Sequence, residues 1–586
     1  MPKDNTSYLT PTYGRVLFNE DIPKNKLPDN SHDPRAVYRF IRDELQLDGN
    51  PTLNMASFVT TVMDDEANRL ISENLGKNYI DTEVYGRTAE IEKRCVKTLL
   101  DLYHAPAPML DAEELAKDDH QPSSWGTLTV GSSEALMLCA LSHKRRWMDS
   151  RKAQGLNTER PCIVLGSDVH ITWVKFAEYF DVNIIWVPIT KENNYAISAI
   201  QVEDVINNPT ISINTPNDTA VSNKQIICVV AVMGTSYTGQ NDPVSDINDV
   251  LVKFKNSTTE PLDIPLHVDA ASGGFIEPFR QHGDGQKAEL KWDFSLEQVK
   301  TINVSGHKFG LVYPGIGWAL WRDIEDIPKA LFVTTNVLGF DESTYSLNFS
   351  RGSAMVLGQY YNFLRLGKNG YRSVIQNLMG IAQHLSAGLN RLRVTVIEDG
   401  NDEALLSDYK VLEIVNDGAY FPACAAKLSL GQQSDGLSDN DYLYNEHDVV
   451  AKLKQNNWIV PAFSMPLDAT SPIGPQDPNA PTVNMMRMVV KESFSWDMAE
   501  QLIKNVAQAI GSLEVQTRAL RYPDKKFSVQ VRLDESTTSS AGCDESQRRF
   551  TLLTQANEGV LFQQHQKVSV ADSSSLKLDI DLDIHA

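Results

Sequence analysis

Two polar residues that each follow an apolar run have the types required for chemistry on an aldehyde cofactor. Lys308 lies just beyond the apolar run 302–304, after Ser, Gly and His, and Asp269 ends an earlier apolar run. A lysine amine can form a Schiff base with pyridoxal phosphate, and a carboxylate can hold the pyridine nitrogen of that cofactor protonated. A lysine alone is far more often a solvated surface charge. The two residues together indicate pyridoxal phosphate chemistry.

The segment from Gly131 to Glu134, Gly-Ser-Ser-Glu, is a candidate phosphate site at the start of a predicted helix. Ser132 and Ser133 carry hydroxyls beside amide groups that a first helical turn leaves unpaired. An ordinary serine cap gives the same pattern, so both interpretations stay open. His170 is similar, because it follows a strand at the end where α/β folds bind ligands and could either stack on a cofactor ring or cap the next helix.

The elements that must position these residues alternate between helix and strand from residue 125 onward. Strands rich in Val and Ile without alternation indicate a mainly parallel α/β sheet with helices on both faces. In this part we predict helices at 132–147 and 171–180 and strands at 162–165, 182–187, 226–233, 264–269, 301–304 and 318–321. Past residue 353 we predict helices at 360–392, 449–454 and 496–513 and strands at 411–414, 423–430, 458–462 and 484–490.

These elements predict four regions in a chain that is too long for one core. They are an N-terminal arm and helix (1–60), a large cofactor-binding domain (61–350), a smaller C-terminal α/β domain (351–520) and a flexible tail (521–586). The tail is assigned because its Ser, Thr and Asp clusters show no periodicity.

Composition excludes several classes of function. The formal charge of -22 argues against nucleic acid as a partner, because phosphate binding needs a basic face. The 6 cysteines are scattered without metal-ligand spacing, so we expect no metal and a reducing compartment. No signal peptide and no apolar run long enough to span a bilayer is recognised, so we expect a soluble cytoplasmic protein that does not bind membranes.

Several motifs together resemble the glutamate decarboxylases of the pyridoxal-phosphate-dependent group with the aspartate aminotransferase fold. The resemblance covers about residues 45–515 and rests on the segments 54–58, 78–81, 104–108, 131–134, 237–239, 267–274, 305–310, 348–351 and 458–463. It implies fold type I, with a mainly parallel sheet of seven strands in the large domain. It also implies removal of the α-carboxyl group of L-glutamate, giving 4-aminobutyrate and carbon dioxide.

The resemblance implies a role for each matching residue. The catalytic residues would be Lys308, which forms the Schiff base, Asp269, which pairs with the pyridine nitrogen, and His170, which stacks on the ring. The remaining cofactor contacts would be Ser132, Ser133, Ser236, Ala271, Ser305, His307 and, from a neighbouring subunit, Ser350. The substrate contacts would be Ser57, Phe58, Asn78, Asp81 and Arg487.

In this resemblance, Arg487 would bind the substrate α-carboxylate, and Asp81 would share a proton with the distal carboxylate. The implied partners are an acidic amino acid and further copies of the chain, in a homodimer or higher oligomer with shared active sites.

The chain departs from the family in a segment before residue 348. Val337 stands where the family has a tyrosine that is a candidate proton donor. An aliphatic side chain cannot donate a proton, so decarboxylation coupled to oxidative deamination stays open as a second reaction. Aspartate or cysteine sulfinate also stays open as the substrate, since one methylene changes binding by only ~1 to 3 kcal/mol. A non-catalytic scaffold that keeps the fold is the remaining hypothesis.

The C-terminal region also differs from that of plant relatives. Its basic cluster, 518–526, contains Pro523 and no tryptophan, so we expect no calmodulin binding. His585 resembles a bacterial tail histidine that covers the cofactor, although tail histidines are usually solvated.

Overall fold

The computed structural model describes most of the chain. The described residues are 22–106, 125–208, 221–280, 290–335, 342–344, 346–398, 404–429, 444–467, 482–534, 550–555 and 576–579. They belong to two compact units, Met1–Asn54 and Met55–Ala586. Among the described residues, no helix is long and apolar enough to cross a membrane.

Ten α-helices are found in the described part of the chain. They are α1 (Pro34–Leu45), α2 (Asp65–Glu73), α3 (Gly86–Leu102), α4 (Ser132–Ala153), α5 (Ile171–Tyr179), α6 (Ala199–Asn207), α7 (Val244–Lys255), α8 (Ala354–Asn390), α9 (Glu446–Gln455) and α10 (Trp496–Arg521). In the first unit, the Asp33 side chain caps α1 by accepting a hydrogen bond from Arg35 N. Helix α8 has a kink at Gly367, whose φ of 56° is not helical.

The strands in the same described residues form four sheets. They are β1 (Gly126–Thr129), β2 (Cys162–Gly166), β3 (Asn183–Val187), β4 (Ile226–Val232), β5 (Leu266–Asp269), β6 (Val299–Ser305), β7 (Gly317–Trp321), β8 (Val333–Thr335), β9 (Glu342–Thr344), β10 (Leu392–Glu398), β11 (Ala404–Lys410), β12 (Leu412–Asn416), β13 (Ala423–Leu428), β14 (Ala462–Pro466), β15 (Thr482–Val489), β16 (Phe527–Leu533), β17 (Phe550–Gln555) and β18 (Leu576–Asp579).

The seven-stranded sheet contains the strands that lead to Asp269 and Lys308. Its order is β1-β7-β6-β5-β4-β2-β3, and β7 is antiparallel to both of its neighbours while the other pairs are parallel. All seven residues of β4, Ile-Ile-Cys-Val-Val-Ala-Val, are buried, as expected for a strand covered on both faces. The prediction of an α/β fold with a mainly parallel seven-stranded sheet is confirmed.

The smaller sheets are formed by later parts of the chain. One has the order β12-β13-β15-β14, another β11-β10-β16-β17-β18, and β8 pairs with β9. Helix α8 packs on β12 and β13, and α10 packs on β16. The predicted strand at 458–462 is wrong in position, because the structure begins β14 at Ala462.

The region 521–586 contains three strands that the sequence analysis missed, β16, β17 and β18. In β16, Phe527, Val529 and Val531 are buried and alternate with less buried residues, and β16 pairs along its length with β10. This period-two pattern is the ordinary signal of a strand with one covered face. The absence of periodicity that we inferred for the tail is therefore wrong at 527–533.

Candidate active site

Lys308 lies in the turn directly after β6. Its Nζ donates a hydrogen bond to Ser272 Oγ at 2.9 Å. Burial lowers the pKa of Lys308 to about 8, although the nearby Asp269 carboxylate raises it. Thr60 fixes the turn, because its N–H donates to His307 O and its Oγ1 donates to Lys308 O. An amine with a lowered pKa is neutral often enough at neutral pH to act as a nucleophile.

Asp269 ends β5, and its carboxylate is surrounded by hydrogen-bond donors. Trp173 Nε1 donates to Oδ2 at 2.9 Å, Asn303 Nδ2 donates to Oδ1 at 2.9 Å, and Ala271 N donates to Oδ1 at 3.2 Å. Asp269 is only 4% exposed. Donors of this kind stabilise the ionised form of a buried carboxylate.

The start of α4 lies against the beginning of β7. A Cβ atom on Gly317 would be 2.4 Å from Gly131 C and 2.7 Å from Ser132 N, so only glycine permits this approach. Glu134 accepts hydrogen bonds from Val130 N through Oε2 and from Leu347 N through Oε1, both at 2.9 Å. The predicted helix start at Ser132 is confirmed, and Glu134 joins it to the segment that leads to residue 350.

One cavity of about 360 Å³ brings most of the predicted cofactor residues together. Nine of them line it, namely Ser132, Ser133, His170, Ser236, Asp269, Ala271, Ser305, His307 and Lys308. Ser272 and Gly234 also line it. The Oγ of Ser305 is buried and has no hydrogen-bond partner among the described residues. An unsatisfied hydroxyl, a nucleophilic amine and a carboxylate fit a phosphate-bearing pyridine aldehyde.

His170 both caps a helix and lines this cavity. Thr172 N donates to His170 Nδ1 at 3.2 Å, which makes His170 the cap of α5. Burial, and then the positive charge of Lys308, lower the pKa of His170. The ring is therefore neutral at pH 7, and the two interpretations offered by the sequence are compatible.

Arg487 lies among aromatic rings. Its Nη2 donates to Ala56 O at 2.8 Å, and its Nε has no partner among the described residues. The guanidinium carbon lies 4.5 Å from the centre of the Phe58 ring, and Lys308 Nζ lies 5.1 Å from the same ring. Burial lowers the pKa of Arg487 to about 10. Ser57 lies in the adjacent segment, where its Oγ accepts from Val59 N.

Six predicted residues are not among those that line this cavity. They are Ser57, Phe58 and Arg487, described above, and Asn78, Asp81 and Ser350. Asn78 Nδ2 donates to Ser350 Oγ at 3.4 Å, and Asn78 pairs with Gly352 in an isolated β-bridge. Asp81 N donates to Asn78 O in the same loop. Ser350 is exposed. These residues form a second cluster, separate from the one around Lys308.

Sequence reasoning missed three residues that contact the predicted ones. Ser272 accepts from Lys308, and Trp173 and Asn303 donate to Asp269. Asn303 had a visible signal, since it is a polar residue inside an apolar strand. Val337 and His585, which carried two of our hypotheses, lie outside the described residues.

Comparison with known proteins identifies the family. Residues 28–401 match the pyridoxal-dependent decarboxylase conserved domain. Glutamate decarboxylase 1 of Arabidopsis thaliana is 38% identical over 86% of this chain and 86% of its own length. Glutamate decarboxylase beta of Listeria innocua is 34% identical over 87% of this chain and 95% of its own length.

Solved structures agree with this assignment. A glutamate decarboxylase of Lactobacillus brevis is 34% identical, with a TM-score of 0.69 over 86% of this chain and 98% of that chain. A sphingosine-1-phosphate lyase of Burkholderia pseudomallei is 16% identical and shares the fold alone, with a TM-score of 0.59 over 86% of this chain and 96% of that chain. The cavity lined by Lys308 and Asp269, together with relatives that match along nearly their whole length, shows that this chain belongs to the pyridoxal-dependent decarboxylases, in the group of the glutamate decarboxylases.

Proposed function

We propose that this enzyme removes the α-carboxyl group of L-glutamate, giving 4-aminobutyrate and carbon dioxide, with pyridoxal phosphate as its cofactor. The observation that carries the proposal is that Lys308 and Asp269 line the same cavity, with Arg487 nearby, whose Nε has no partner among the described residues. The amine, the carboxylate and the guanidinium supply the three kinds of group that an amino acid decarboxylase of this family needs.

The residues that line the cavity would hold the cofactor at its two ends. Lys308 would bind the aldehyde carbon through Nζ, and Asp269 would accept a hydrogen bond from the pyridine nitrogen. Ser132, Ser133, Ser305 and His307 would bind the phosphate, and Ser236 would lie near the ring substituents. His170 and Ala271 would cover the two ring faces. When bound, the cofactor supplies a ring that accepts the electron pair left by the departing carboxylate.

Arg487 would bind the α-carboxylate of the substrate. Its guanidinium has an N–H without a partner in the described residues, in a site from which aromatic rings exclude water. A fork of two N–H groups matches a carboxylate better than an ammonium does. Ser57 and Phe58 would shape the pocket beside it.

Asn78, Asp81 and Ser350 would serve the active site of a second copy of the chain. Two observations support this assignment, because these residues match the family motif and yet lie outside the cavity of their own chain. We infer a homodimer or higher oligomer with shared sites. Asp81 would meet the distal carboxylate of the substrate, and two carboxyl groups in contact share one proton. This arrangement favours acidic substrates and a mildly acidic working pH.

Protonation of the product carbon needs a donor near Lys308. Valine at position 337 cannot provide one. His170 lines the cavity. His170, water or Tyr345, which lies outside the described residues, would take this role. Oxidative deamination stays open as a competing reaction because of this substitution. Decarboxylation of aspartate or cysteine sulfinate stays open because these substrates are similar in size to glutamate.

Several further assignments remain predictions from the sequence. They are the cytoplasmic location, the division at residues 60, 350 and 520, and the lack of binding to nucleic acid, membranes, metal and calmodulin. The five cysteines in the described residues are unpaired and buried.

An assay of purified protein under air tests the proposed function. Glutamate, aspartate and cysteine sulfinate are offered separately, and carbon dioxide, amine, aldehyde and peroxide are measured together. We expect carbon dioxide and 4-aminobutyrate from glutamate, with none from Lys308→Ala. Carbon dioxide from Lys308→Ala, or none from the loaded wild type, would contradict the proposal. Aldehyde and peroxide in place of amine would assign the oxidative reaction instead.

A further inference from the structure

Asn303 joins the two ends of the proposed cofactor site. Its Nδ2 donates to Asp269 Oδ1 at 2.9 Å and to Ser132 Oγ at 2.8 Å. The side chain belongs to β6 and has no exposed surface. One amide therefore contacts both the carboxylate assigned to the ring nitrogen and a hydroxyl assigned to the phosphate.

A chain of buried polar side chains continues from Asn303 away from the cavity. Asn303 Oδ1 lies 2.7 Å from His267 Nε2, and His267 Nδ1 lies 2.7 Å from Thr301 Oγ1. Thr301 Oγ1 lies 2.7 Å from His143 Nε2 on α4. All four side chains are at most 2% exposed. Bulk water therefore does not compete for these hydrogen bonds.

The direction of every hydrogen bond in this chain follows from its first member. An ionised Asp269 only accepts, so the Asn303 amide turns its NH₂ group to it and its carbonyl to His267. That carbonyl only accepts, so His267 carries its hydrogen on Nε2. Burial lowers the pKa of His267 to about 4, so the ring is neutral at pH 7 and its Nδ1 accepts.

The outer half of the chain is fixed in the same way. Thr301 has one hydroxyl hydrogen, which it donates to His267 Nδ1, so its oxygen accepts from His143 Nε2. A neutral His143 then has a bare Nδ1. This atom is buried and has no partner among the described residues, in agreement with that assignment.

All donors along the chain point toward Asp269. Aligned hydrogen bonds polarise one another, so the chain stabilises a negative charge at Asp269 without using a positive one. A proton shared between Asp269 and a bound pyridine ring therefore remains on the ring nitrogen.

We propose that Asn303, His267 and Thr301 are positioning residues that keep the cofactor's ring nitrogen protonated by holding Asp269 ionised and correctly oriented. The proposal rests on the cofactor-binding part of the proposed function and names residues that the family resemblance did not assign. Without these hydrogen bonds, Asp269 takes the proton that it shares with the ring nitrogen, and the ring becomes a weaker electron acceptor.

The test measures protonation of the ring directly. Holoenzyme is prepared with pyridoxal phosphate labelled with nitrogen-15 in the ring, and the ring-nitrogen chemical shift is recorded by solid-state NMR. Asn303→Leu removes the central amide, and Thr301→Val removes one hydroxyl at nearly constant shape. Thr301→Ser keeps the hydroxyl and removes only the methyl group. Asn505→Leu is the matched control, because Asn505 is also buried and hydrogen-bonded but lies on α10.

We expect Asn303→Leu and Thr301→Val to move the resonance toward that of an unprotonated nitrogen. In Asn303→Leu, kcat falls roughly 10- to 100-fold, the value of one hydrogen bond to a charged group, with little change in KM. Thr301→Ser and Asn505→Leu keep the wild-type resonance. If Asn303→Leu does not fold, Thr301→Val decides.

If Asn303→Leu and Thr301→Val both keep the ring-nitrogen resonance of the wild type, the inference is overturned, whatever their kcat. A loaded wild type that releases no carbon dioxide overturns the proposed function alone, because the ring-nitrogen measurement needs no substrate. A wild type that binds no cofactor overturns both.

Discussion

The guanidinium carbon of Arg487 lies 4.5 Å from the centre of the Phe58 ring. The centre of the Phe463 ring lies 5.9 Å from the same carbon, and Arg487 Nη2 donates a hydrogen bond to Ala56 O. Since the pKa of Arg487 is lowered only to about 10, the side chain stays cationic at neutral pH. A buried cation with an N–H that has no partner in the described residues is costly unless an anion binds there. We propose the α-carboxylate of the substrate as that anion.

We expect Arg487→Lys to retain cofactor but lose substrate binding. Lysine keeps the charge and loses the planar fork, so kcat/KM for glutamate falls roughly 10- to 100-fold. Arg487→Met falls further because the charge is also lost. Steady-state kinetics and cofactor absorbance measure the two effects separately. Arg393→Lys, on β10, is the control and keeps wild-type kinetics, and unchanged kcat/KM in Arg487→Lys would remove Arg487 from the substrate site.

Capture of pyridoxal phosphate by cofactor-free protein should depend on the protonation of Lys308. Only a neutral amine attacks an aldehyde, and the pKa of Lys308 is lowered to about 8. The capture rate therefore rises about tenfold per pH unit below pH 8 and levels off above it. The positive charge of Arg487 lowers the pKa of Lys308. Arg487→Met therefore moves the plateau to higher pH, while Arg393→Met does not.

Borohydride trapping, followed by mass spectrometry of the peptide that contains residue 308, measures this rate. Lys308→Ala gives no trapped product at that peptide. A capture rate that continues to rise well above pH 9 would show that the amine is not shielded from water as its position indicates.

Asp168 and Asp242 form a buried carboxyl pair that should make stability depend on pH. Asp242 accepts from Val232 N and Ile197 N, whereas neither carboxyl oxygen of Asp168 has a partner within hydrogen-bonding geometry among the described residues. Burial, and then the charge of Asp242, raise the pKa of Asp168, and burial raises the pKa of Asp242 to about 7.

The folded protein therefore retains protons that the unfolded chain, with a pKa of about 3.9, has lost. The free energy of unfolding falls as pH rises from about 4 to 7, by about 1.4 kcal/mol per pH unit for each retained proton. Asp168→Asn should flatten this dependence, and the exposed Asp246→Asn should not. Thermal or urea unfolding at pH 5 and pH 8 measures the difference. An equal change in the free energy of unfolding between these two pH values in Asp168→Asn and wild type would show that Asp168 retains no proton in the folded protein.

The sequence predicted the parts of the site that depend on local pattern. Lys308 and Asp269 follow apolar runs, and parallel strands bring their carboxyl ends to one edge of a sheet. The contact of Asn303 with Asp269 depends on the register between β5 and β6. This register cannot be predicted from either apolar run alone. The contact of Arg487 with residues 56 and 58 joins distant segments. The family resemblance assigned Arg487 and Phe58 to the substrate site but did not indicate this contact. Strand β16 was missed although its alternation is visible.

The cluster of Asn78, Asp81 and Ser350 leads to a test of shared active sites. If Asp81 serves the cavity of a second copy, Lys308→Ala and Asp81→Asn chains are each inactive alone. Mixed dimers then contain one site with both residues intact. Random mixing in equal amounts should restore about a quarter of wild-type activity, because half of the dimers are mixed and each has one working site of two.

Lys308→Ala mixed with Arg487→Met is the matched control. Lys308 and Arg487 both lie within contact distance of Phe58 in one chain. One site of that mixed dimer therefore lacks Lys308, and the other lacks Arg487. No site contains both residues, so no activity returns. Two different affinity tags, used in sequence, isolate the mixed dimers before assay. Mixed dimers of Lys308→Ala and Asp81→Asn that form but stay inactive would place Asp81 in its own chain's site, since only a residue supplied by the partner can be complemented in this way.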